Sequence, residues 1–123
     1  MKTICIDIDG TIVHYEDWKG DYHFGSIVPG AIEAMKELKS QGWYIIIYTT
    51  RGNKSAVESF LNCNGIPFDS INENPHQPEN AKGGKPIADV YLDDRAVTFE
   101  GNWGKTVELV NNFKTWENAK KNR

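Results

Sequence analysis

Short apolar runs alternate along this chain with longer amphipathic stretches, and each run stops at polar residues. Residues 3–8 and 43–48 (Trp-Tyr-Ile-Ile-Ile-Tyr) are apolar and β-branched without polar alternation, which predicts strands buried on both faces of a parallel sheet. Residues 68–71 supply a short third strand, 87–92 a fourth and 96–99 a short fifth. Pro29-Gly30 opens a helix reaching about Gln41, with Ile32, Met35 and Leu38 on one face and Gly42 placed to close it. Ser55-Ala56-Val57-Glu58 has the spacing of a capping box; Val57, Phe60 and Leu61 follow, and Gly65 closes this second helix. Residues 106–113 carry Val107, Leu109, Val110 and Phe113 at helical spacing, and the polar tail 116–123 extends or frays that helix. The alternation predicts a three-layer, Rossmann-like α/β fold: a mostly parallel five-stranded sheet with helices on both faces. Residues 12–28, where Tyr15, Trp18, Tyr22, His23 and Phe24 interleave with charges, read as a flap hairpin turning at Lys19-Gly20-Asp21 or as an aromatic cluster packed on the domain. Residues 72–84 form a loop long for so small a domain.

The strand ends hold the candidate chemistry. Asp7-Ile8-Asp9-Gly10-Thr11 places two carboxylates one residue apart at the end of the first strand, where like charges raise the cost of ionisation unless a cation or a chemical task compensates. The plainer alternative is that either acid caps a turn before Gly10. The second strand ends in Thr49-Thr50-Arg51-Gly52, and the fourth, preceded by Lys85, ends in Asp93-Asp94-Arg95. In parallel sheets the site lies beyond the carboxyl ends of the strands, so these groups are expected to converge. Four carboxylates in one crevice call for a hard divalent cation with oxygen ligands, and magnesium suits a site beside a phosphate. A hydroxyl and a lysine suit the remaining phosphoryl oxygens.

Composition narrows the classes. A chain of 123 residues with 39% hydrophobic content fits one domain spanning 1–123. The net charge of −3, with lysines scattered apart from Lys120-Lys121, argues against nucleic acid as a bulk electrostatic partner. With neither a signal core nor a membrane-length apolar run, the expected location is the cytoplasm. Cys5 and Cys63 lack ligand spacing and read as small hydrophobes; His14, His23 and His76 read as structural groups or substrate contacts.

Taken together, Asp7-Ile8-Asp9-Gly10-Thr11, strand-end Thr49, Lys85 and Asp93-Asp94 resemble, in order and strand context, the four motifs of the haloacid dehalogenase superfamily over nearly the whole chain. The Asp two residues after Asp7, Asp9, looks like the phosphatase and phosphotransferase branch. The resemblance implies a magnesium-dependent phosphatase hydrolysing a phosphomonoester of a sugar, nucleotide or similar small metabolite. In that scheme Asp7 is the nucleophile, Asp9 the acid and base, and Thr49 and Lys85 hold the phosphoryl group. Gly10, Thr50 and Arg51 contact substrate, while Asp7, the Asp9 carbonyl, Asp94 and Asp93, directly or through water, hold Mg2+. Lys82 competes with Lys85 and Thr50 with Thr49; Arg51 reads equally as an exposed strand-end charge. Insertions at both cap positions are short, which resembles the capless branch and raises the expectation of a homo-oligomer, dimer or tetramer, with the flap near the interface. The alternatives are a receiver-like signalling domain that accepts a phosphoryl group and a non-catalytic scaffold of the same fold.

Overall fold

Parallel pairing of four short strands builds the sheet: β1 (Thr3–Ile6), β2 (Tyr44–Ile47), β3 (Ser70–Ile71) and β4 (Val90–Leu92) lie in the order β3-β2-β1-β4. The computed structural model describes residues 1–121, which form two compact units, one of residues 1–92 and one of the described residues from 93 onward. The expected mostly parallel α/β class is found, with four strands instead of five. Residues 96–99 form no strand; they belong to the second unit, which among the described residues holds no other strand to complete a ladder, and strand propensity without a partner does not make a strand.

In the first unit, β1 and β2 are in register from Thr3↔Tyr44 to Ile6↔Ile47, so Ile4, Ile6, Ile45 and Ile47 share a face. These residues pack with Met35 of helix α1 (Ala31–Ser40) and Val57 and Leu61 of helix α2 (Lys54–Cys63) in one buried cluster. Both helices close in the same way. Gly42 (φ 91°) and Gly65 (φ 67°) adopt the left-handed conformation, letting the Trp43 amide reach the Leu38 carbonyl at 3.1 Å and the Ile66 amide the Leu61 carbonyl at 2.9 Å. The start of α2 differs from expectation: Asn53, not Ser55, is the cap, its side chain accepting the Ala56 amide at 3.1 Å. Asn and Ser are near-equal caps, so spacing alone does not choose between them.

Two carboxylates extend the ladder at the amino ends of the strands. Asp89 accepts the Thr3 amide at 2.9 Å, and Asp69 accepts the Ile45 amide at 2.7 Å while bonding Lys39 Nζ at 2.6 Å. The flap is paired only at its base. Val13 bridges Ile27, the His14 amide donates to Ser26 and the Val28 amide to Ile12, while residues 14–26 form no strand.

In the second unit, helix α3 (Trp103–Asn111) starts at Asn102, whose side chain accepts the Lys105 amide at 3.0 Å. The tail does not continue this helix: residues 112–115 break it, and helix α4 (Trp116–Lys121) begins anew with the Thr115 hydroxyl accepting the Asn118 amide. Residues 122–123 of the expected tail lie outside the described residues.

Candidate functional site

Because β2 and β3 lie on one side of β1 and β4 on the other, the chain reverses its winding between β1 and β4. That reversal opens a crevice beyond the carboxyl ends of the two strands. Asp7 stands there, following Ile6, with its amide donating to the Leu92 carbonyl at 3.0 Å. Asp93 and Asp94 are the next residues of the chain after Leu92. Within the second unit, Asp93 Oδ1 accepts the Arg95 amide at 2.8 Å.

The turn after Asp7 is drawn tight around one oxygen. The Ile8 carbonyl accepts the amides of Thr11, Ile12 and Val13 at 3.0–3.1 Å, and Gly10, with φ 89°, donates to Val13 at 2.8 Å. This φ favours glycine at position 10. None of the amides of residues 10–14 goes to the Asp9 carbonyl. Thr11 Oγ1 is the one buried side-chain oxygen or nitrogen without a hydrogen-bond partner among the described residues.

Asp9 meets its partner from the neighbouring strand end. Arg51 Nε lies 2.8 Å from Asp9 Oδ2 and its Nη2 2.9 Å from Oδ1, a two-pronged pair whose guanidinium side is only 7% exposed. Arg51 also donates to the flap carbonyls of His23 (2.9 Å) and Asp21 (3.4 Å). Its guanidinium lies 3.9 Å from the Phe24 ring centre, and Phe24 stacks at 4.0 Å on Phe60 of α2. The residue read as either a phosphate contact or an exposed charge is thus enclosed, with Asp9 and the flap around it. Sequence spacing does not reveal this link, because the partners are 42 positions apart.

Thr49 and the long loop are joined by a further contact outside the sequence reading. The Thr49 amide donates to Asn72 Oδ1 at 2.8 Å, and the Thr49 hydroxyl accepts the Arg51 amide at 3.1 Å, which leaves the hydroxyl hydrogen for another acceptor. The signal at Asn72 is the type of residue: its φ is 57°, a left-handed conformation that Asn tolerates. Two cavities flank this seam. One, of about 170 Å³, is lined by Asn72, Asn74, Lys82 and Lys85 among others. The other, of about 390 Å³, is lined by Asp9, Thr50, Arg51 and the flap. Lys82 pairs with Glu79 at 2.9 Å, while Lys85 lies 4.6 Å from the Tyr91 ring centre. Burial pushes the Cys5 thiol in β1 up to about 11, and the positive charge of Lys85 pulls the other way.

The flap has its own fixings. Glu16 accepts the Ser26 amide at 3.1 Å and bonds His23 at 3.3 Å. The Ser26 amide, then the His23 bond, hold its carboxyl below the ordinary value. Gly25 passes so close to the opposite arm that a Cβ there would stand 2.0 Å from the His14 carbonyl oxygen. His14, His23 and His76 form no metal-ligand group; His76 packs edge-on against Tyr44 at 5.3 Å.

Comparisons with known proteins agree with this architecture. Structurally, the chain is similar to a conserved protein from Bacteroides thetaiotaomicron, at 28% identity and TM-score 0.65 over 94% of this chain and 93% of the other. A structural-genomics target from Vibrio cholerae shares the fold at 22% identity and TM-score 0.52, covering 93% of this chain and 100% of that one. A D,D-heptose 1,7-bisphosphate phosphatase from B. bronchiseptica, complexed with magnesium and phosphate, matches at 23% identity and TM-score 0.46, over 69% of this chain and 56% of its own. No curated protein matches the chain. No helix among the described residues is long and apolar enough to cross a membrane. The family model for haloacid dehalogenase-like hydrolases matches residues 4–113, nearly the whole chain, including the three polar strand ends and Lys85. A receiver-like domain is thereby set aside, and the chain belongs to the haloacid dehalogenase-like hydrolases.

Proposed function

We propose that the protein is a magnesium-dependent phosphatase that hydrolyses a small phosphomonoester through an aspartyl-phosphate on Asp7. The observation that carries this reading is the placement of Asp7 at the switch point of a parallel sheet, in a chain of this hydrolase family. An Asp7 carboxylate oxygen attacks phosphorus, the bond from phosphorus to the ester oxygen breaks, and Asp9 gives its proton to the departing oxygen. Asp9 then takes a proton from water as that water attacks the phosphoryl group, the bond to Asp7 breaks, and inorganic phosphate leaves. Thr49 has a hydroxyl hydrogen to offer a phosphoryl oxygen, and Lys85 supplies positive charge beside it. Thr50 and Gly10 complete the contacts to substrate.

The donor chemistry fits magnesium: Asp7, Asp93, Asp94 and the Asp9 carbonyl are hard oxygen ligands, and that carbonyl is passed over by every amide of its own turn. When bound there, the ion would neutralise charge building on the phosphoryl oxygens. Asp9 must leave Arg51 with at least one oxygen to reach the ester, so the guanidinium acts as a holder that releases one prong.

The test is turnover of p-nitrophenyl phosphate with magnesium, repeated with chelator and with Asp7→Asn. Both changes should abolish turnover, while circular dichroism of the variant stays native, since the substitution relieves like-charge repulsion in the crevice. A variant with substantial remaining activity contradicts the covalent mechanism, and a wild-type protein without activity on any phosphomonoester leaves the scaffold reading.

A further inference from the structure

Strand β2 ends at Ile47, yet the hydroxyl assigned to the phosphoryl group belongs to Thr49, beyond the last strand residue. A group outside the regular ladder needs its own support if it is to be held in one place. The Tyr48 amide is held by the Ile6 carbonyl of β1 at 2.9 Å. The Thr49 amide goes instead to a side chain, Asn72 Oδ1, at 2.8 Å. Asn72 is itself pinned, because its own amide donates to the Ile47 carbonyl at 2.7 Å. One residue thus grips the end of β2 twice, by main chain before Tyr48 and by side chain after it.

In this grip Asn72 holds φ at 57°, and among the described residues only Asp17 shares a positive φ with it outside the glycines. Glycine adopts such a φ at the least cost, so backbone shape alone does not account for Asn at position 72. The carboxamide does, by supplying an acceptor oxygen where the turning chain presents no main-chain carbonyl to Thr49. The bond is exposed to solvent, so it adds little to global stability and its effect is local. Thr49 Oγ1 accepts the Arg51 amide at 3.1 Å, so with its own amide on Asn72 the residue is held from both sides of its hydroxyl hydrogen. Asn72 also lines the cavity of about 170 Å³ together with Lys85, which makes direct contact with substrate the competing role.

Building on the phosphatase reading, we propose that Asn72 is a positioning residue for the reaction, acting through Thr49 by fixing where that hydroxyl meets the phosphoryl group. A donor displaced by about an ångström loses stabilisation of the transition state, at a cost of up to about a hundredfold in rate.

The experiment uses the whole protein with magnesium and p-nitrophenyl phosphate, in wild type, Asn72→Gly, Thr49→Ala and the double variant. Glycine removes the acceptor and adopts φ 57° without strain, so Asn72→Gly should fold, with a melting temperature within about 5 °C of wild type. Its kcat should fall by about tenfold or more while KM changes by less than about threefold, because what is lost is aim in the transition state. In the Thr49→Ala background, where no hydroxyl is left to aim, Asn72→Gly should change kcat by less than about twofold. An Asn72→Gly protein with wild-type kcat overturns the proposal and leaves the phosphatase standing. So does a lower melting temperature with kcat per folded molecule unchanged, which assigns Asn72 to structure alone. Losses that multiply in the double variant also overturn it, since Asn72 then acts independently of Thr49. No turnover by wild type of this or any other phosphomonoester removes the phosphatase reading and this one with it.

Discussion

Arg51 shows how much of the site depends on a single side chain. A guanidinium offers donors in a rigid fork, and here one edge of the fork takes Asp9 while the remaining donors take carbonyls of the flap. Lysine has the charge but neither the fork nor the flat face that lies on Phe24. Arg51→Met leaves Asp9 without its ion-pair partner in a crevice; because Asp9 is 28% exposed, solvent screening keeps the cost to about 1–3 kcal/mol, below that of breaking a fully buried pair. The expected outcome is a lower melting temperature and at least tenfold lower kcat, with Arg51→Lys recovering stability more than rate because it restores charge without geometry. Measured melting curves and kinetics on both variants check this; a lysine variant with full kcat contradicts the positioning role.

Among the elements, the flap is distinguished by how little backbone pairing holds it. Its base is a short bridge, and the rest is fixed by Glu16, by Arg51 and by the close crossing at Gly25. Gly25→Ala puts a methyl group against the His14 carbonyl, where backbone must move; the expected cost is about 1–3 kcal/mol, localised as faster amide exchange in residues 14–26 with β1 and β2 unaffected. Exchange mass spectrometry reads this directly, and uniform loosening of the sheet would contradict it. Acid acts on the same element. Glu16 is held below its ordinary value of 4.5, so the stability it contributes is fully present above that value and is lost as pH falls through the depressed one. Flap amides should therefore lose protection on acidification through and below the ordinary carboxylate range, and Glu16→Gln should flatten that dependence; a flap equally protected across that range contradicts the assignment.

Across the whole molecule, what was legible in the sequence is what local composition decides. Unbroken isoleucines at 45–47 and the apolar run before Asp7 mark parallel strands, and the polar residues that follow, Asp7 in one case and Thr49 after Tyr48 in the other, mark the functional edge of the sheet. Gly42 and Gly65 mark helix ends through their left-handed conformation. Pairings made by folding were not legible. Nothing near Arg51 in the sequence names Asp9, and nothing near Thr49 names Asn72, because both contacts bring together groups separated by more than twenty positions. Residues 96–99 were misread because strand propensity says nothing about whether a partner strand is available. The same limit applies to the reaction: family and switch point locate Asp7, while its chemistry has to be caught in the act. The decisive measurement is rapid acid quench of the protein during turnover of a phosphomonoester with magnesium, in wild type and in Asp9→Asn, followed by peptide mass spectrometry. The account predicts one added phosphoryl group on the peptide containing Asp7, assigned to that residue and accumulating further when Asp9 can no longer activate water. Turnover without any adduct on Asp7 in either protein would contradict it and make direct attack by water the better mechanism.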